Sequence, residues 1–257
     1  MTNTLKTIAA ALALYVIWTA ATWFLEGRIE TLLRPDAVAD RLVYALTANL
    51  IVGIIGASVV LRFILGWKGA DRTAAGFGSP IRTSLAIVAG LGLGLAFYVL
   101  SGGASSDPVV VANAFAQVLV VSAAEVIVCW AVVGSAFETA FRDLGRGIAV
   151  ALAAPIASAL FGLYHFAHSA PFNTAGMVLF LAAIGLVTSL FFFVSRDLYG
   201  TIAFHNFLGV VGVVDALAAE DKLQSMTQLQ PPLIATAVVA IVVLVLADRF
   251  VIRRAAD

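Results

Sequence analysis

The sequence predicts an all-α polytopic transmembrane bundle of about eight spanning helices. Three observations predict it. The chain of 257 residues is 62% apolar and only 12% charged, where a soluble domain carries roughly 25% charged residues. Its apolar residues fall into eight long runs, each close to the ~20 residues a helix needs to cross a bilayer. Polar or turn-rich segments separate those runs. The runs are too long and too uniformly apolar for barrel strands, so helix is the spanning form.

The expected spans are roughly 6–25, 42–66, 83–101, 108–136, 147–168, 175–195, 200–219 and 232–251. The first run is longer than a signal-peptide core and reads as an uncleaved span. Neither a linker nor an internal repeat interrupts the series, so residues 1–257 read as a single membrane domain. Trp18, Trp23 and Trp67 fall near span ends, where indole suits the interface.

Charge placement predicts orientation. With the N-terminus inside, Lys6, Arg62, Lys68, Arg72, Arg82, Arg142, Arg146, Arg196, Arg249, Arg253 and Arg254 lie inside. Only Arg28, Arg34, Arg41 and Lys222 lie outside. Eleven against four places both termini in the cytoplasm, and the expected location is a prokaryotic plasma membrane. Lys+Arg 15 balances Asp+Glu 15, so no basic excess exists to hold nucleic acid. A single cysteine, Cys129, excludes an intrachain disulfide and a cysteine-based zinc site.

Ionisable groups deep in a span are costly and therefore candidates for function. Glu125 is the only acid well inside span 4; Asp215 lies late in span 7. Asn113, Gln117 and Glu125 are spaced by multiples of four and share one helix face, which suits hydrogen-bonded struts for the two amides. His165 and His168 end span 5, with Phe161 one turn before His165. Glu125 and His165 are equidistant from Gly145 in the 4–5 turn, so an antiparallel hairpin brings them to one height. His205 starts span 7 with Asn206 beside it. His165 would stand ~27–30 Å from the 4–5 turn and His205 only ~8 Å into its span. The two converge if the 4–5 hairpin projects beyond its neighbours or the helices tilt.

An acid on one helix, Phe161-x-x-x-His165 on the next and His205 two spans later resemble the CPBP family, the CAAX-processing and bacteriocin-processing (Abi) membrane endopeptidases. The resemblance covers residues 74–215, with Gly76-Phe77-Gly78 as the lead-in. The family pattern is Glu-Glu-x-x-x-Arg, then Phe-x-x-x-His, then His-x-x-x-Asn or Asp. Here Val126 and Trp130, or Cys129 in the alternative register, stand where the first motif has Glu and Arg. Gly209 stands where the third has an amide. Phe137-Glu138-x-x-x-Arg142 is a rival match to the first motif.

The resemblance implies an intramembrane endopeptidase that hydrolyses a membrane-anchored peptide or protein within the lipid bilayer. It makes Glu125 the general base, His165 the partner orienting water and His205 the oxyanion donor, with Phe161, Asn206 and His168 accessory. It implies no cofactor. A zinc variant would use Glu125, His165 and His205, with His168 available, but no strong zinc signature such as HExxH is present. The departures from the motifs leave a second class open, an inactive family member serving as membrane scaffold or partner-binding protein. A small-molecule or ion carrier would more often show broken helices and paired repeats.

Overall fold

Capping residues set where the helices begin. Ser79, Asp107, Thr174 and Asp197 each accept a backbone N–H from the first helical turn, and Pro80 and Pro108 take the first helical position of their helices. The computed structural model describes residues 3–34, 36–68 and 70–253. Eight helices among them are long and apolar enough to cross a membrane: α1 Asn3–Gly27, α2 Val38–Gly66, α3 Pro80–Leu100, α4 Pro108–Ala140, α5 Arg146–Ala167, α6 Ala175–Ser195, α7 Leu198–Ala219 and α8 Pro231–Ile252. All eight expected spans are present. Several begin earlier than their apolar runs because capped, partly polar first turns are helical too. Arg254, part of the charge comparison, lies outside the described residues.

α4 is the central helix, with 89% of its apolar window buried against 22% for α3. The outer helices turn large apolar side chains outward, Leu100 at 85% and Val194 at 75% exposure. A surface of that kind is solvated by lipid rather than water. α3 lies close on α7: a Cβ on Gly90 would fall 2.3 Å from the Gly200 carbonyl oxygen, and one on Gly94 would meet the Phe207 ring at 2.7 Å. The Gly90-x-Gly92-x-Gly94 run thus serves close helix approach at its two ends.

Two expectations change. Glu26, expected in a polar connecting segment, is fully buried at the end of α1. Arg41, from the same segment, is buried in α2. Trp18, expected at the interface, is fully buried, stacks 3.7 Å from the Tyr164 ring and donates to Asn49 Oδ1 at 3.3 Å. Trp23 remains exposed.

The two amides of α4 are struts. Asn113 donates to the carbonyls of Met226 and Gln228 and accepts from Gln230 N–H, fixing the connection into α8. Gln117 donates to the Leu32 carbonyl and accepts from the Arg41 guanidinium.

The depth mismatch between His165 and His205 is resolved by stagger. The Ser158 and Ser189 hydroxyls meet at 2.8 Å. Ser158 is about 18 Å along α5 from Arg146, while Ser189 is only about 9 Å from the end of α6. The α4–α5 hairpin therefore extends about 9 Å beyond the α6–α7 turn. At that level Arg196 grips Glu138 with two charge-assisted hydrogen bonds of 2.5 and 2.7 Å. The tip beyond carries the exposed Arg142, Asp143 and Arg146.

Candidate active site

Glu125 ends the first α-helical part of α4; the next nine residues, Val126–Gly134, are π-wound, and α-helix resumes over Ser135–Ala140. Such widened turns inside a helix recur at functional sites. Here the widening accompanies a run of wholly buried residues from Val126 to Gly134.

The three expected catalytic residues converge. His205 Nε2 lies 3.0 Å from Glu125 Oε2, and His165 Nε2 lies 3.7 Å from Glu125 Oε1. All three side chains are buried. Partners assign the ring protons. His165 Nδ1–H donates to the Phe161 carbonyl at 2.9 Å, which leaves a lone pair on Nε2 facing the carboxylate. His205 Nδ1 is 2.9 Å from Thr188 Oγ1. The Thr188 hydroxyl has the Ile184 carbonyl at 3.2 Å as a second acceptor; when it donates to Nδ1 instead, the His205 proton sits on Nε2 and points at Oε2. The Phe161 ring packs edge-on to both imidazoles, with centroids 4.7 and 5.1 Å away.

Not every expected accessory joins them. Asn206 points away, donating to the Phe115 carbonyl at 3.1 Å, so it does not stand in for the amide at position 209. Gly209 lines the cavity, and a Cβ there would come within 2.6 Å of Val118 Cγ1. An asparagine at that position would have to shift the Val118 side chain. His168 lies against the site, its ring stacked 5.1 Å from that of His165 at 23°. The rival acid Glu138 is about 20 Å along α4 from Glu125 and is consumed by Arg196.

The Glu125 carboxylate faces a cavity of about 310 Å³. Gln117, His165, His168 and His205 also reach it, and Asp215 stands exposed at its edge. The remaining wall is mostly apolar, including Phe97, Val121, Phe172, Leu181 and Leu208. Phe97 and Phe180 line the cavity while remaining exposed on the outer surface, so its mouth faces the lipid-facing side of α3 and α6.

Three further residues, none expected at the site, belong to its surroundings. Trp130, at one of the positions where the family motif has Arg, donates to Ser189 Oγ at 2.7 Å and packs its ring 5.4 Å from His205. Thr188 orients His205. Glu26 accepts the Ser169 N–H at 2.9 Å and its hydroxyl at 2.6 Å, and stands 3.9 Å from His168 Nδ1. Glu26 carried a faint signal, an acid directly continuing an apolar run; Trp130 was marked only as a departure from the motif, and Thr188 carried no signal beyond its place in an apolar helix.

No family model, curated protein or solved structure matches the chain.

Proposed function

We propose that this protein is an intramembrane endopeptidase of the CAAX-processing type, hydrolysing a membrane-anchored peptide with a water activated by Glu125. The observation that carries the reading is the approach of Glu125 Oε1 to His165 Nε2 at 3.7 Å, a nitrogen left with its lone pair when Nδ1–H donates to the Phe161 carbonyl. Two acceptors at that separation can share one water, which donates a hydrogen to each. Its oxygen lone pairs are then left for attack on a carbonyl carbon in the cavity.

In the reaction, the water oxygen bonds to the scissile carbonyl carbon and Glu125 takes the water's proton. A protonated carboxyl is a weaker acceptor, so it releases the N–H of His205. That donor can turn to the oxyanion forming on the carbonyl oxygen. Collapse breaks the C–N bond, and the proton held by Glu125 passes to the leaving amine. The apolar wall holds the substrate's membrane-embedded part, and a mouth facing lipid suits a substrate arriving within the bilayer. The same reading places both termini in the cytoplasm of a prokaryotic plasma membrane. Reporter fusions at Asp107 and Asn173 should then read outside and one at Arg142 inside; the reverse pattern would overturn that topology.

The test is cleavage of a library of lipid-anchored peptides in proteoliposomes, with fragments read by mass spectrometry. Wild type should cleave, Glu125→Gln should not, and a chelator should leave wild-type cleavage unchanged. Equal fragments from wild type and Glu125→Gln would remove Glu125 from the chemistry and favour a scaffold. Cleavage lost on chelation and restored by zinc would replace the metal-free mechanism.

A further inference from the structure

A second cavity, of about 370 Å³, opens beside the projecting α4–α5 hairpin. It is remote from Glu125, since Glu138 on its wall is about 20 Å further along α4. Arginines define it: Arg142 at the hairpin tip, Arg146 at the start of α5 and Arg196 at the α6–α7 turn. Arg196 is held by Glu138. Arg142 and Arg146 are exposed, and among the described residues neither pairs with a carboxylate. Arg142 donates to the Thr139 hydroxyl at 3.4 Å. The remaining acid on the wall, Asp71, accepts the Ala74 N–H at 2.8 Å. Arg196 is 5% exposed, and its Nε has no hydrogen-bond partner among the described residues. A donor withdrawn from water is ordinarily satisfied, so this one points to an acceptor still to arrive. No side chain caps the first turn of α5, which begins at Arg146, and the positive end of that helix favours an anion as well.

We propose that this cavity binds the phosphodiester headgroup of one anionic phospholipid. Charge, depth and the neighbouring surface agree on that class of ligand. With Arg196 and Glu138 cancelling, Arg142 and Arg146 against Asp71 leave a single positive charge on the wall. A phosphodiester carries a single negative one. Guanidinium forks also match the spacing of phosphate oxygens. The α6–α7 turn follows directly on the apolar end of α6, and the hairpin tip stands about 9 Å beyond it. The headgroup layer on each side of a bilayer is roughly 5–8 Å deep, so a cavity reaching from Arg196 to Arg142 spans that layer. Exposed Ile148 and Leu152 continue from the arginines along α5, and exposed Leu190 and Val194 lead up α6 to Arg196. Acyl chains of a lipid held at the cavity have those apolar surfaces to lie on. A soluble phosphate would meet the arginines but leave the apolar surfaces unused. The bound headgroup bridges the hairpin and the α6–α7 turn, beside the Glu138–Arg196 pair.

The experiment is native mass spectrometry of delipidated, full-length protein in a neutral detergent, titrated with phosphatidylglycerol or with phosphatidylcholine. Wild type should take up one phosphatidylglycerol, and bind it roughly tenfold more tightly than phosphatidylcholine, whose choline cation the arginines repel. Arg142→Gln and Arg146→Gln should each weaken phosphatidylglycerol binding roughly fivefold, the effect of one cation at an anionic membrane surface. The double variant should lose more than either. Both side chains are exposed, and circular dichroism of each variant checks that it is folded. Arg72→Gln removes a charge from the same side of the bundle but not from the cavity wall, and should bind as wild type does. Equal affinity of wild type for the two lipids would overturn the site. So would equal losses in Arg72→Gln and Arg142→Gln, which would reduce it to diffuse surface charge. Displacement of the lipid by millimolar inorganic phosphate would also overturn it, in favour of a soluble anion. The readout needs no substrate and leaves Glu125 untouched, so its outcome is independent of the peptidase reading.

Discussion

Two carboxylates on α4, thirteen residues apart, keep opposite company. Glu138 gives both oxygens to the Arg196 guanidinium, at 2.5 and 2.7 Å. Among the described residues no Lys or Arg pairs with Glu125; its oxygens meet two imidazoles and a cavity. A guanidinium fork occupies a carboxylate's lone pairs in one fixed geometry. Glu138 therefore ties the projecting hairpin to the α6–α7 turn and has nothing left with which to accept a proton. Imidazoles beside Glu125 each offer one nitrogen that can donate a hydrogen bond and one that can accept it. Glu125 is buried and Glu138 only partly so; their neighbours separate the ion-paired strut from the candidate site.

The sharpest way to break this comparison is to exchange each acid for its neutral isostere. Glu125→Gln should lower peptide cleavage by about 10²–10⁴-fold with little change in thermal stability, measured as fragment yield and melting temperature on the same preparation. Glu138→Gln should do the reverse. Removing one partner of a fully buried ion pair costs about 3–5 kcal/mol; this pair is part-buried, so a smaller loss is expected, with Arg196 left without its carboxylate. Unfolding in a denaturing detergent titration should show the loss. If Glu138→Gln abolished cleavage with unchanged stability, the acid of the rival Phe137-Glu138-x-x-x-Arg142 match would return as the catalytic one.

His205→Ala sharpens the comparison on the Glu125 side. Loss of one oxyanion donor commonly costs about 10²–10³-fold in kcat, so His205→Ala should fall mainly in kcat and leave KM near wild type. Asn206→Ala should leave kcat unchanged and register only in stability, since its amide bonds to α4 rather than entering the cavity. A kcat effect of Asn206→Ala as large as that of His205→Ala would show that α7 rotates when substrate binds.

Much of this was legible in the sequence, and the limits are physical. Run lengths reveal spans because lipid demands about twenty apolar residues of every crossing helix. The meeting of Glu125 with His165 was legible because both are twenty residues from Gly145, the pivot of an antiparallel hairpin with φ of 88°. The meeting with His205 was not, since it depends on how far one hairpin slides past another. That slide is fixed by contacts such as Ser158 with Ser189 and Glu138 with Arg196, which join residues 31 and 58 positions apart. Glu26 was hidden for a related reason. An acid after an apolar run reads as the start of a loop unless the bundle folds another polar segment over it, as Ser169 does here. The empty third-motif position was visible, yet its cause was not: Gly209 is the residue that lets α7 approach Val118.

The smallest expected effect tests whether His205 acts through its orientation. Thr188 bonds the nitrogen of His205 that faces away from Glu125, so it touches neither the cavity water nor the substrate. Thr188→Val keeps the branched shape and removes the hydroxyl. A buried hydrogen bond of this kind contributes about 0.5–1.5 kcal/mol, which corresponds to roughly a two- to tenfold change in a rate that depends on it. If His205 must present Nε2–H to the developing oxyanion, the loss should appear in kcat, with KM nearly unchanged, because the ring then samples the wrong tautomer. Thr188→Ser, which restores the hydroxyl without the methyl, should recover most of the rate. A purely structural Thr188 predicts a different pattern, in which Thr188→Val and Thr188→Ser both shift melting temperature and kcat per folded molecule stays at the wild-type value. The Thr188→Val and Thr188→Ser pair therefore separates a histidine that is aimed from one that is merely packed.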